Sequence, residues 1–232
     1  MGRFISETVG YVPSQRRTQL VASAGSSACC LWTVPSGVTE VTFEIWGGGG
    51  AGGPKCCCYC GASSGGSAGG YAIKTVATSA GQTYTLCAGG PGEARYCSVG
   101  GSNIGCQGCT SFATGTGLTN FCATGGAGGY TVCCIQMTQC CGGNGFGGDF
   151  NIPGGDAWQK GGCGSWICHY SAGGAAAFSG HAWHATEHCC AYFSPGRCGV
   201  FPGGGGGGFF ACACDCCGCQ GGGASGLVKV TF

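Results

Sequence analysis

The chain has 232 residues, of which 55 are Gly and 25 are Cys, and only 7% are charged, against roughly 25% in an ordinary soluble domain. Nine basic and eight acidic residues leave a net charge of +1, so the basic surplus of a nucleic-acid-binding protein is missing. The few carboxylates argue against acid–base catalysis, and we expect no enzymatic activity and no cofactor. No apolar run approaches the roughly 18 residues of a membrane-spanning helix, so we expect no membrane insertion.

Residues 1–27 differ in composition from the rest of the chain. They contain three of the five Arg, no Cys and few Gly. We interpret them as an N-terminal arm that attaches the protein to a partner, and the alternative is a frayed terminus. Their first residues include no apolar core, so they do not predict a secretory signal.

Short strands are predicted near both ends of the remaining chain. They are rich in β-branched and aromatic residues and cover residues 31–34, 38–46, 71–78, 82–87 and 227–232. Residues 38–46 alternate between apolar and polar side chains, which is typical of a half-buried strand. The turn Ser79-Ala-Gly81 separates two of the strands at a spacing that predicts a β-hairpin. No segment shows the periodicity of a helix.

Between these strands, residues 88–225 consist mostly of Gly, Cys and aromatic residues. Two interpretations remain open for the glycine runs. They are disordered loops, or they are left-handed extended helices with three residues per turn, which pack closely because Gly has no side chain. The strand at the C-terminus favours the ordered form, since the sheet must close around the long excursion.

Several sequence blocks carry a resemblance to a known family. They are Trp32-Thr-Val-Pro-Ser-Gly-Val-Thr-Glu-Val-Thr-Phe-Glu-Ile-Trp-Gly-Gly-Gly-Gly-Ala-Gly-Gly53, Gly69-Gly-Tyr-Ala-Ile-Lys74, Thr110-Ser-Phe112, Ala123-Thr-Gly-Gly-Ala-Gly-Gly129 and Gly226-Leu-Val-Lys-Val-Thr-Phe232. In this order they resemble the glycine-rich domains of bacteriophage tail fibres and adhesins. Glycine-rich domains of some animal receptor kinases are similar too.

The resemblance implies an all-β fold: a small antiparallel β-sandwich over residues 28–232 that carries a bundle of polyglycine II helices in an excursion of about residues 91–225. It also implies a virion protein, assembled in the host cytoplasm, that forms a homo-oligomer, commonly a trimer. In such adhesins the loops at the tip of the bundle bind a host receptor. This chain departs from the family in its far higher cysteine content.

The cysteines permit two kinds of cross-link. Disulfides that staple the glycine-rich loops are the simpler expectation, and an odd number leaves at least one thiol outside an intramolecular pair. Metal binding is the alternative, because several pairs have the two-residue spacing of zinc or iron–sulfur ligands. These pairs are Cys57/Cys60, Cys106/Cys109, Cys214/Cys217 and Cys216/Cys219.

Histidines form a second possible metal site. His181, His184 and His188 fall within eight residues and would share one face if the segment were a helix. The alternative is a surface loop whose imidazoles stack or bind a ligand. A Cys–His catalytic pair has nothing in the sequence to orient it.

Aromatic residues cluster between positions 158 and 201, among the glycine runs. We expect them to present rigid aromatic faces to a sugar or protein receptor, or to form a small core that the glycine-rich region otherwise lacks. The candidate receptor-binding residues are Trp158, Trp166, Tyr170, Trp183, His184, Tyr192 and Phe193.

The expected function is therefore attachment of a virion to the host surface. The arm would bind other virion proteins, and the excursion would bind a host glycan or protein. Two alternatives remain: a disulfide-stabilised decoration or cement protein of a capsid or tail, and a metal-loaded, cysteine-rich structural protein.

Overall fold

The structure is a computed structural model, and it describes residues 17–54, 61–94, 104–132, 141–160, 169–186, 193–194, 196–208, 210–211 and 220–232. Within these ranges the regular secondary structure consists of β-strands, and all paired strands are antiparallel. The predicted all-β class is confirmed. The described part of the chain contains no helix that could span a membrane.

Seventeen strands are described. In chain order they are β1 (Thr18–Ala22), β2 (Ala28–Thr33), β3 (Glu40–Trp46), β4 (Gly61–Ser63), β5 (Tyr71–Ala77), β6 (Thr83–Ala88), β7 (Ser111–Thr114), β8 (Cys122–Ala123), β9 (Thr131–Val132), β10 (Gly145–Phe146), β11 (Phe150–Ile152), β12 (Trp158–Lys160), β13 (His169–Ala172), β14 (Trp183–Thr186), β15 (Phe193–Ser194), β16 (Phe210–Ala211) and β17 (Leu227–Thr231).

Two five-stranded sheets supply the main hydrophobic core. Sheet A has the order β1-β17-β3-β5-β11 and sheet B the order β10-β8-β7-β6-β2. The core draws on both sheets, because β3 contributes Phe43 and β6 contributes Tyr84, which are fully buried with ring centroids 4.9 Å apart. Trp32 of β2 stands edge-on to Phe43 at 6.2 Å. The alternation read in residues 38–46 therefore places its apolar side chains in this core.

The predicted hairpin of residues 71–87 is wrong. Strand β5 pairs with β3 and β11 in sheet A, whereas β6 pairs with β2 and β7 in sheet B. The turn between them crosses from one sheet to the other, since the Thr78 amide donates to Thr39 and the Gly81 amide donates to Val34. Val76 and Tyr84 are thereby both buried in the shared core, and burial of their apolar surface favours this arrangement.

Part of the predicted arm belongs to sheet A. Residues Thr18–Ala22 form β1 and pair with β17 along their whole length. The backbones of Arg17 and Phe232 extend this ladder by two hydrogen bonds of 2.7 and 3.0 Å. Residues 1–16 of the arm lie outside the described residues.

Glycine-rich segments form a hydrogen-bonded array beside the large sheets. We call it the glycine lattice, and it consists of residues 47–53, 64–70, 89–92, 105–109, 124–129, 203–208 and 221–226. Segment 47–53 lies among the other six. In this segment every third amide donates to the same neighbouring segment. Segment 64–70 accepts from Gly47, Gly50 and Gly53, at Gly70, Ser67 and Ser64 respectively. Segment 105–109 accepts from Gly48 and Ala51, at Cys109 and Cys106, and segment 221–226 accepts from Gly49 and Gly52, at Ala224 and Gly221.

The remaining three neighbours donate to carbonyl groups of the same segment. The Gly126 and Gly129 amides donate to Gly48 and Ala51, and the Gly92 and Gly206 amides donate to Gly49 and Gly50; all four bonds are 2.8–2.9 Å long. The buried backbone is thus satisfied by segments distant in the chain, as buried amides and carbonyls require. The hydrogen bonds of the lattice repeat with a period of three residues.

A carboxylate ties β11 to β5 at the exposed edge of sheet A. Asp149 accepts hydrogen bonds from the Thr75 amide (2.8 Å) and the Lys74 ammonium (3.3 Å). The Thr75 amide is the main cause that holds the pKa of Asp149 below its usual value, with Lys74 adding to the effect. This connection is therefore sensitive to acid.

We expect the Asp149→Asn variant to lose less than about 1 kcal/mol of stability at pH 7, because exposed ion pairs are worth little. The folded protein holds the pKa of Asp149 below the unfolded value of about 3.9. Its contribution is therefore complete above that pH and is lost as the pH falls further. Urea denaturation from pH 7 to pH 2.5 should show the wild type and the variant converging in acid. A constant difference across this range would contradict the assignment.

Candidate functional site

The candidate site is a three-stranded sheet of β12, β13 and β14, which we call the aromatic sheet. Its register places Trp158, Ala172 and Trp183 at one rung. Two rungs further along the sheet, Tyr170 lies between Lys160 and Ala185. At the rung between these two, His184 pairs with Ser171. The structure thus brings together four predicted receptor-binding positions, Trp158, Tyr170, Trp183 and His184, that are up to 26 positions apart in the chain.

The central strand of the aromatic sheet is fixed to the glycine lattice. The Ser171 hydroxyl is buried and accepts a hydrogen bond of 2.9 Å from the Gly208 amide. Just beyond the strand, the Gly174 amide donates to Gly66, and the Gly174 carbonyl accepts from Gly205. The lattice therefore sets the position of the strand through side-chain and backbone bonds, and such support gives a binding site its geometric precision.

Trp158 is the predicted site residue whose side chain is described most fully, and it is 39% exposed. Its neighbours Ala157 and Gln159 are buried, at 0% and 5% exposure. An indole has only two side-chain torsions, so a half-exposed Trp can offer a large contact area at low entropic cost.

Three other predicted residues are not placed in this sheet. Phe193 lies in β15, which belongs to a separate four-stranded sheet of order β15-β16-β4-β9. Trp166 and Tyr192 lie outside the described residues. The seven predicted positions therefore do not form one described surface.

The predicted histidine face does not form as expected. His184 lies in the strand β14, where side chains do not follow helical spacing. The Nδ1 atom of His181 lies 3.2 Å from the Gly173 carbonyl oxygen, and His188 is outside the described residues. Among the described residues, no three His, Cys, Asp or Glu side chains come together to hold a metal ion.

One of the cysteine pairs with metal-ligand spacing, Cys106 and Cys109, lies in the glycine lattice. The carbonyl groups of Cys106 and Cys109 accept from Ala51 and Gly48 of the same neighbouring segment. The Cys106 side chain is partly exposed and the Cys109 side chain is exposed. Their two-residue spacing therefore coincides with the period of the lattice. The other three pairs lie outside the described residues: Cys57/Cys60, Cys214/Cys217 and Cys216/Cys219.

One disulfide is described, which confirms that the protein contains a cysteine cross-link, whereas the stapling of glycine-rich loops stays a prediction. It joins Cys29 of β2 to Cys87 of β6, which are directly opposite in the register. Burial raises the pKa of the nearby free thiol of Cys122 on β8, so this thiol is a poor nucleophile at neutral pH.

Phe178 is an exposed aromatic residue that the sequence analysis did not select as a site residue. Its side chain is 80% exposed, and its φ of 60° lies in the left-handed region that aromatic residues rarely adopt. In the sequence Phe178 follows Ala175-Ala-Ala177 directly after a glycine pair, but only its exposure and its backbone conformation in the structure distinguish it from a core residue.

No protein-family model matches the chain, and no curated protein matches it. The observations that bear on the function of this protein are therefore the lattice, the aromatic sheet and the sequence resemblance. Fold likeness alone would not establish it in any case, because one fold supports many functions.

Proposed function

We propose that the protein is a non-enzymatic virion adhesin of the tail-fibre type, in which a rigid glycine lattice holds aromatic side chains against the host cell surface. The observation that carries this proposal is the fixed position of the aromatic sheet: Ser171 and Gly174 bond directly into the lattice. Such an arrangement favours recognition, because rigid aromatic anchors lose little entropy when they bind.

We further propose that the lattice segments are polyglycine II helices. A left-handed helix with three residues per turn directs every third amide to the same side, and segment 47–53 donates to three neighbours in this way. In the same proposal sheets A and B are the two layers of a β-sandwich, supported by a core to which both sheets contribute. These two features are what the resemblance to phage adhesins leads us to expect.

The remaining parts of the proposal concern assembly. The described termini, Arg17 and Phe232, are bonded to each other beside β1 and β17. Segment 47–53 of the lattice follows Trp46, at the end of β3 that is farther from Arg17 and Phe232. In the predicted arm of residues 1–27, β1 belongs to sheet A. Residues 1–16 would therefore attach the protein to other virion proteins from the end of sheet A opposite the lattice. A homotrimer is the expected oligomer.

The first experiment measures binding of the fluorescently labelled full chain to intact candidate host cells, with unlabelled protein as competitor. Saturable and competable binding is the expected result. If no host of the parent particle is bound, the attachment function is wrong. The decoration alternative would then predict many copies over the particle instead of a few at a distal tip.

We expect Trp158→Ala to weaken cell binding at least tenfold, about 1.4 kcal/mol, while the folded state persists at the temperature of the binding assay. Phe146→Ala is the matched control, because Phe146 is also a half-exposed aromatic residue, at 47%, but lies on β10 in sheet B. Equal binding by the two variants would remove Trp158 from the site.

A further inference from the structure

A groove lies on the face of sheet A that points away from the main core. We call it the outer groove; it encloses about 850 Å³, and its polar lining includes Arg17, Glu40, Thr42, Glu44, Lys229 and Thr231. The register explains the lining, because Glu44 pairs with Lys229 and Thr42 pairs with Thr231 across β3 and β17. Alternate residues of these strands point into the core, so these four point outward.

Glu44 is held in a fixed orientation at the floor of the outer groove. One carboxylate oxygen accepts from the Lys229 ammonium at 2.6 Å, and the other accepts from the Tyr71 hydroxyl at 3.1 Å. The side chain of Glu44 is only 16% exposed. A carboxylate offers about four acceptor positions, so two bonds fix it and leave acceptor capacity toward the groove.

The charged side chains of the residues that line the outer groove balance one another. Arg17 and Lys229 supply two positive charges, and Glu40 and Glu44 supply two negative charges. Thr42 and Thr231 pair with each other on the same strands as Glu44 and Lys229, and the Thr42 hydroxyl also bonds the Thr75 hydroxyl at 2.9 Å. Donors and acceptors are therefore interleaved without net charge, which suits neighbouring hydroxyl groups on a ligand, since each hydroxyl both donates and accepts.

Phe178 adds an aromatic face beside this polar lining. Its ring stands edge-on to Tyr71, with centroids 5.4 Å apart, and Tyr71 is the residue that bonds Glu44. The backbone before Phe178 is anchored, because the Trp46 indole donates to the Ala177 carbonyl at 2.8 Å. The left-handed φ of Phe178 is a costly conformation that its anchored surroundings maintain, and such positions cluster at binding sites.

We propose that the outer groove and Phe178 together bind a neutral oligosaccharide. The interleaved donors and acceptors would bond the hydroxyl groups of the sugar, and the exposed aromatic ring would pack against its apolar C–H face. An extended peptide fits less well, because the backbone groups of β3 and β17 are already paired within the sheet and offer no strand edge to extend. The cancelled charges disfavour an acidic sugar.

The outer groove belongs to sheet A, whereas Phe178 lies on the connection between β13 and β14 of the aromatic sheet. The proposed sugar binding does not depend on the proposed cell attachment. The test uses the full chain and saturation-transfer NMR with maltohexaose, cellohexaose, laminarihexaose and mannohexaose, and with sialyllactose as a charged probe. At least one neutral hexasaccharide is expected to bind, and more tightly than sialyllactose. If none of the four binds, or if sialyllactose binds best, the proposal is wrong.

Two substitutions locate the bound sugar. Glu44→Gln keeps the shape but removes the charge, and Phe178→Gly removes the ring while suiting the left-handed φ, so its Tm should not fall. Each should weaken binding at least tenfold, whereas Phe146→Ala should have no effect. Unchanged binding in both groove variants overturns the assignment, as does a loss caused by Trp158→Ala. Failure of cell binding with intact hexasaccharide binding would overturn only the attachment function.

Discussion

Replacing Gly223 by Ala should lower the free energy of unfolding by at least about 3 kcal/mol, at the upper end for overpacking substitutions. A Cβ at this position would overlap the backbone carbonyl group of Gly49 in the central lattice segment. That carbonyl accepts from Gly92 at 2.8 Å, and Gly223 itself donates to Gly92 at 2.9 Å. A backbone group held by these bonds cannot rotate aside as a flexible side chain can.

The adjacent glycine provides the control. At Gly222 the atom nearest to an added Cβ is the Gly92 carbonyl oxygen at 3.6 Å, an ordinary contact, and neither glycine has a left-handed φ. Gly222→Ala should therefore be neutral or should stabilise the protein by about 0.4–1 kcal/mol, because it restricts the unfolded chain. Urea denaturation of both variants checks this difference. Similar losses at the two positions would show that the lattice is not packed as described.

Removing the disulfide should also be strongly destabilising. The Cys29–Cys87 bond joins residues separated by 58 positions, and cross-links of this kind contribute about 2–4 kcal/mol. The double variant Cys29→Ala/Cys87→Ala should lose that amount, which corresponds to a decrease in Tm of roughly 4–16 °C. Adding a strong reductant to the wild type should lower its Tm by at least as much.

Cys30→Ala controls for the loss of cysteine volume on the same strand. Cys30 is a free, partly buried thiol that packs against the main core, so its replacement should cost about 1 kcal/mol or less. If the wild type keeps its Tm under strong reductant, or if Cys30→Ala costs as much as the double variant, the disulfide does not stabilise the fold.

The long strands could be predicted because their periodicity is local. Residues 38–46 alternate, and β3 buries Val41, Phe43 and Ile45 completely. The partner of each strand could not be predicted, since the spacing of residues 71–87 suits a hairpin as well as the observed crossing between sheets. Strands β7 and β8, with four and two residues, are too short to show alternation within a region dominated by Gly.

The candidate site was predictable in composition but not in geometry. The aromatic cluster from Trp158 onward is visible in the sequence, yet the pairing of Trp158 and Trp183 through Ala172 depends on the register of three strands. The role of Glu44 could not be predicted from the sequence either, because its partners Tyr71 and Lys229 belong to two other strands. Both arrangements depend on contacts between distant parts of the chain.

The period of the lattice also constrains how the chain can change in length. In segment 47–53 the residues that bond to one neighbour recur at every third position. An insertion of one or two residues there would shift this period-three pattern out of step, and would direct Gly positions and side chains toward the wrong neighbours. An insertion of three preserves the phase. Within the lattice, viable insertions and deletions therefore come in triplets, whereas the connections between segments can vary by single residues.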